Sequence, residues 1–278
     1  VDEITAFNVS LTITRYSTGM KSDSQRRGFS LVEMSVIMMI FGAIAVMAVI
    51  GGNLWVDNQK VETTRKKIDT IHTALRNYYK VYGRLPCPGD FRLPQNNANW
   101  GSEADSPNPG TECTGGAITA MSTVQAHLVY GSLPVKELGL QDNMYYDGWD
   151  SSWFYYVDWR LTVAGTLMPG ESNYIPQDDT SIGTIEIWTR NNLTAGASMI
   201  LDNAVYALVS TGANRHGGYN ESGKPVDGRG TPHGDEGENC ECNGVGALQA
   251  IRDGHLVSRV NDANYDDIVS YKLRRQLW

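Results

Sequence analysis

Histidine and cysteine are scarce in this chain, five and four respectively among 278 residues. That leaves room for one metal site or two disulfides and excludes a metal-rich protein. An excess of basic side chains is missing too: the formal net charge is −8. A sequence-independent DNA or RNA binder needs a basic surface, so no nucleic-acid partner is expected. No period of 20–50 residues recurs, which excludes a solenoid or propeller. There is no G-x-S-x-G, no H-E-x-x-H and no phosphate-binding glycine loop, and the expectation is that the chain is not an enzyme. At 41% hydrophobic and 19% charged residues it is neither a disordered tail, a collagen-like repeat nor a multi-span membrane protein. The length allows one large domain or two small ones with a packed core.

The most informative absence is local. Residues 34–52, MSVIMMIFGAIAVMAVIGG, contain no charge at all. At 1.5 Å per residue this run matches the ~30 Å hydrocarbon core of a bilayer. Lys21, Arg26 and Arg27 precede it, so the N-terminus is expected in the cytoplasm and everything after Asn53 outside it. A secretory signal peptide would have a shorter apolar core and a small-x-small cleavage site, whereas here the helical pattern runs on. Glu33 breaks the apolar texture at its start. An unpaired carboxylate at that depth costs about 2.5–3.5 kcal/mol on insertion scales, so a partner is expected. A new α-amino group at Phe29, on a neighbouring copy of the helix, would neutralise it and reward one stagger of packed helices.

Arg26-Arg27-Gly28-Phe29-Ser30-Leu31-Val32-Glu33 resembles the processing site of type IV prepilins and type II secretion pseudopilins. The resemblance implies cleavage by a membrane-embedded prepilin peptidase between Gly28 and Phe29, methylation of the new Phe29 amine, and a register role for Glu33. It also implies other pilin-like subunits and an inner-membrane assembly platform as partners. Residues 1–28 are set apart as a leader; Met20 is the expected initiator, which leaves 20–28 as a short basic leader. Residues 29–53 are expected to form the transmembrane and assembly helix.

Beyond the span, Val61, Ile68, Ile71, Leu75, Tyr78 and Tyr82 recur at helical spacing, giving an amphipathic stem over 54–83. It should stop near Gly83, with Pro86 and Pro88 following, so that 29–82 forms one helix of about 80 Å. From Arg84 the texture turns to Gly, Pro, Asn and aromatics, and 84–278 is read as an exported globular head. Strands are predicted at 153–157, 184–189 and 204–210, and weaker helices at 123–129 and 247–251. The fold class is α+β. The family resemblance makes it a pilin-like long helix packed on a small antiparallel sheet with long loops. Tyr146-Asp147-Gly148-Trp149 followed by Tyr155-Tyr156 looks like the aspartate–tryptophan turn and next strand of major pseudopilins. Residues 206–214 and 266–271 resemble the two sides of their calcium loop, although Asn214 stands where a carboxylate is expected.

An exported domain meets an oxidising compartment, which favours disulfides among Cys87, Cys113, Cys240 and Cys242. Cys87 and Cys113 bracket a Gly/Pro/Asn-rich loop whose closure would stabilise by roughly 3–4 kcal/mol. Cys240 and Cys242 are one residue apart, and the sequence leaves cross-pairing with the first two open. Zinc held by Cys240, Cys242, His216 and His233 is the alternative, but C-x-C lacks the usual ligand gap. No cofactor is required by the pattern; calcium is the candidate. Asp235, Glu236, Glu238 and Asn239, with Asp262, Asp266 and Asp267, offer the oxygens it prefers, and Asp235, Glu236, Asp266 and Asp267 are the proposed ligands. A solvated acidic loop is the plainer reading. Trp149, Trp153, Tyr155, Tyr156 and Trp159 are read as strand-core packing ahead of a ligand patch. Together these expectations describe a minor pilin or pseudopilin of the bacterial inner membrane, later in a filament or at the cell surface. The rival is a single-span anchored protein whose exported domain binds a ligand.

Overall fold

The computed structural model describes residues 30–104, 113, 128–166, 168–172, 174–176, 179, 182–190, 195–226, 235–240, 255–262 and 265–277, without the side chains of 47–55. The chain divides into two units, Val1–Gly51 and Gly52–Trp278. Helix α1 runs over Leu31–Tyr82. It starts where the Ser30 hydroxyl accepts from Val32 N–H at 3.3 Å, a side-chain cap for an orphan donor. It ends at Gly83, whose φ of 63° reaches the left-handed region while its N–H donates to Tyr79 O at 2.8 Å. That is the glycine stop the sequence announces.

In the second unit α1 buries one stripe: Thr64, Ile68, Ile71, His72, Leu75, Tyr78 and Tyr79. The expected stripe is shifted at its end. Tyr82 is exposed, and Tyr79 takes the inward position.

The stripe lies on a sheet of six strands: β1 Leu128–Gly131, β2 Phe154–Asp158, β3 Ile185–Trp188, β4 Met199–Ser210, β5 His255–Val257 and β6 Ile268–Leu273. Strand β4 is its spine. Residues 206–209 pair with β2, residues 199–204 with β3, and residues 204–210 pair with β6. Ala204 pairs with both Ile185 and Leu273, so β3 and β6 lie on opposite edges. Strands β2 and β3 therefore follow one another along a single edge, and β1 extends the sheet beyond β2. The sheet is mixed where an antiparallel one was expected, because β3 and β5 pair in parallel. A parallel neighbour needs a long connection, and the chain between these two strands includes β4 and the short helix α2, Asp235–Asn239.

Both faces of the central strands are covered. Tyr155, Val157, Tyr206 and Leu208 join Ile68, Ile71, Leu75 and Tyr79 in one core, while Phe154, Tyr156, Ala207 and Val209 join Phe91, Leu256 and Cys240 in another. A register shift between Ala204 and Tyr206 lets both Val205 and Tyr206 enter the helix-side core, which is how a bulge re-aims a side chain. The fully buried β2 explains why its aromatics pack as core. The weak helix predicted at 123–129 is wrong where it is described: Leu128 and Val129 open β1. Residues 123–127 and 247–251 lie outside the described residues.

The Cys87–Cys113 disulfide is present, with both sulfurs buried and a Cα–Cα distance of 5.9 Å. Cys240 is disulfide-bonded as well; Cys242 lies outside the described residues.

Candidate functional site

Two places carry the chemistry that the sequence singles out. The first is the start of α1. Gly28 and Phe29 lie outside the described residues. Glu33 is exposed in the first helical turn, a position where the helix dipole favours a carboxylate. Leu31, Val32, Met38, Met39, Phe41, Ile44 and Val46 are exposed around it. An added Cβ at Gly42 would meet nothing within 4 Å. This is an apolar helix surface without cover among the described residues. No helix among those residues is long and apolar enough to cross a membrane; the expected span, 29–53, reaches into side chains that are not described.

The second place is a cradle of carboxylates at one end of the sheet. Glu236 on α2 and Asp266 and Asp267 just before β6 bring an oxygen each within 4.8 Å of one another. Glu236 and Asp267 are buried. Each is oriented by amide donors. Asn214 Nδ2 donates to both Glu236 oxygens at 3.0 Å, Asn214 N–H to Asp266 Oδ2 at 2.8 Å, and Asp266 N–H to Glu236 Oε1 at 2.9 Å. Asn239 Nδ2 donates to Asp267 Oδ2 at 3.0 Å. That leaves Asp266 Oδ1 and Asp267 Oδ1 buried without a hydrogen-bond partner.

Gly212 closes the cradle with φ 60°. A Cβ there would lie 2.4 Å from Asp266 Oδ1, so only glycine lets the backbone approach. Burial and the neighbouring Glu236 charge push the Asp266 carboxyl up to about 6. Burial pushes Asp267 up strongly, Glu236 and Asp266 adding to it against the Asn239 hydrogen bond.

Three carboxylates this close, two of them with an orphaned oxygen, fit a hard cation bound by oxygen. Asp235 does not belong with them: its Oδ2 is 3.0 Å from Arg259 Nε, and the same guanidinium reaches Asp262 at 3.0 Å. The zinc alternative fails at Cys240, which is bonded to sulfur and offers no thiolate; His233 and Cys242 lie outside the described residues.

The cradle is wired to the stem. Ser210, at the end of β4, donates to buried Asp147 Oδ2 at 2.6 Å, and Asp147 Oδ1 accepts from the N–H groups of Trp149 and Ser151. The turn so fixed docks on α1. Gly148 N–H donates to Thr64 Oγ1 at 2.9 Å. Lys67 Nζ donates to the carbonyls of Asn143, Tyr146 and Asp147. An added Cβ at Gly148 would stand 2.4 Å from Lys60 O.

Thr64 and Lys67 escape a reading from sequence motifs, whereas Gly212 falls within the 206–214 segment that resembles one side of a calcium loop. Of the first two, Thr64 alone leaves a trace, as a polar residue in phase with the apolar stripe.

A family model described as the prokaryotic N-terminal methylation motif matches residues 23–49. No curated protein and no solved structure matches the chain. The chain thus joins an α+β fold to a prepilin-type N-terminal methylation motif, consistent with the type IV pilin and pseudopilin family. The motif supports a type IV pilin-like protein processed by prepilin peptidase.

Proposed function

We propose that this chain is a minor pilin or pseudopilin, a non-catalytic subunit anchored by its apolar N-terminal helix and assembled through that helix into a filament. The observation that carries the reading is the methylation motif at 23–49, whose helical part presents an apolar surface uncovered among the described residues, with Glu33 in its first turn. In this reading residues 29–53 cross the bacterial inner membrane once and the following unit lies in the periplasm. The Glu33 carboxylate is neutralised by the Phe29 amine of a neighbouring subunit, which sets the stagger of packed helices. The large loop-bearing head supports a minor subunit over a uniform major one, since it would crowd a regular fibre.

The carboxylate cradle completes the proposal. Glu236, Asp266 and Asp267 would hold calcium, which would supply the positive charge that this buried set lacks. Mass spectrometry of the N-terminal peptide from cells with an active prepilin peptidase tests the core of the reading. An N-methylated Phe29 is expected. An intact 26–33 peptide beside a correctly processed control substrate would refute it.

A further inference from the structure

The cradle of Glu236, Asp266 and Asp267 has a cover on its solvent side. Glu236 and Asp267 are buried, whereas Asn214 is exposed and lies directly on Glu236. Its side-chain amide is turned one way round. His216 N–H donates to Asn214 Oδ1 at 2.8 Å, which leaves Nδ2 as the end that faces the carboxylate. Both Nδ2 contacts, to Glu236 Oε1 and Oε2, are 3.0 Å. With Asp266 N–H on Oε1 at 2.9 Å, three of the roughly four acceptor positions of Glu236 are taken.

A hard cation needs those same lone pairs. It would also meet the positive ends of the two amide N–H bonds, so the Asn214–Glu236 contact and a cation on Glu236 exclude one another. We propose that Asn214 is a latch on the cradle: its side chain holds Glu236 while no cation is bound, and a cation takes Glu236 only by displacing it. The inference rests on the reading of the cradle as a calcium site and adds the residue that sets its affinity. Apparent affinity is the intrinsic affinity multiplied by the fraction of molecules in which the latch stands open.

Only the side chain needs to move, because the backbone around it is fixed. Asn214 N–H donates to Asp266 Oδ2 at 2.8 Å, and the Arg215 guanidinium donates to Ser151 Oγ at 3.0 Å and Asp150 O at 2.8 Å. Asn214→Ala therefore removes the latch and keeps the backbone donor to Asp266.

Terbium, a luminescent oxygen-seeking substitute for calcium, is the probe, titrated into the full chain in detergent micelles. Buried Tyr265, next to Asp266 in the chain, is the sensitising ring. Signal that Asp267→Asn lacks is the cradle's share. Asn214→Ala should bind terbium at least about five-fold more tightly than the wild type, and calcium competition should show the same gain. In chelator the variant should melt at least about 3 °C lower, since Glu236 has lost its side-chain donors. A residue that merely supports the loop would lower both affinity and stability when removed. Equal or weaker binding by Asn214→Ala, or an unchanged melting temperature in chelator, would overturn the latch and leave the cradle as a cation site. No Asp267-dependent signal in either protein would overturn the calcium reading, and the latch with it.

Discussion

Buried His72 ties the stem helix to the sheet, and protonating it should loosen the head. Its Nδ1 lies 2.8 Å from Tyr206 OH and its Nε2 2.8 Å from Ser270 Oγ, so α1 is pinned to both β4 and β6. Either hydroxyl can donate or accept, and the hydrogen bonds alone do not forbid the imidazolium. Burial does, with the charges of Lys272 and Arg76 adding, and together they lower the imidazole to about 3.

The native state therefore holds His72 neutral while the unfolded chain protonates it near 6.5. The associated stability is fully present above pH 6.5 and is lost progressively as pH falls toward 3. Between pH 7 and pH 5 the loss is about 2 kcal/mol. Other groups titrate in this range, and raised carboxylates such as Asp266 act in the opposite direction, so the quantity to read is a difference. Urea unfolding of the full chain in detergent, followed by tryptophan fluorescence, would be compared with that of His72→Gln at pH 7 and pH 5. The wild type should lose about 2 kcal/mol more than the variant on acidification, or about 4–8 °C in melting temperature. Parallel pH dependences of the two proteins would refute the neutral, buried histidine.

Gly148→Ala should destabilise the head by about 1–3 kcal/mol, because the new methyl is driven against Lys60 O in a packed contact; unchanged urea midpoints would show that the turn does not dock on α1 as described. Calcium at a hundred times its dissociation constant should stabilise the protein by about 2.7 kcal/mol, and Asp267→Asn should abolish most of that gain. Equal melting with calcium and with chelator would remove the cation from the cradle. Without calcium, the raised Asp266 carboxyl makes the cradle's own contribution fall as pH rises from about 4 to 6, so its removal by Asp266→Asn should flatten that part of the pH profile. Glu33→Ala should leave peptidase processing intact and deplete the subunit from sheared filaments by immunoblot; normal incorporation would end the register argument.

Much of the fold is legible because it rests on local chemistry. Gly83 with Pro86 and Pro88 ends the helix in any context, and the alternation of Ile185 and Ile187 against Glu186 and Trp188 marks β3 from sequence alone. The misread parts depend on partners far along the chain. Residues 199–203 carry Met, Ile, Leu, Asp and Asn and have no clean alternation, yet they extend β4 because β3 supplies their backbone bonds. The parallel β3–β5 pair has no local signal; it is fastened by His255 Nε2 at 2.7 Å from Glu186 Oε2, two residues 69 positions apart.

The same division holds for the sites. The N-terminal motif is contiguous, and eight residues in order suffice to read it. The cradle is assembled from three separated segments, so an acidic count could nominate Asp266 and Asp267 but could not separate Glu236 from Asp235. Those two are adjacent in sequence, and the five-residue helix α2 turns one toward Asp266 and the other toward Arg259. That choice is made by an arginine 24 positions away, which takes Asp235 as a counter-ion and thereby leaves Glu236 to the cluster. Replacing Arg259 would accordingly change the cradle without touching any of its carboxylates.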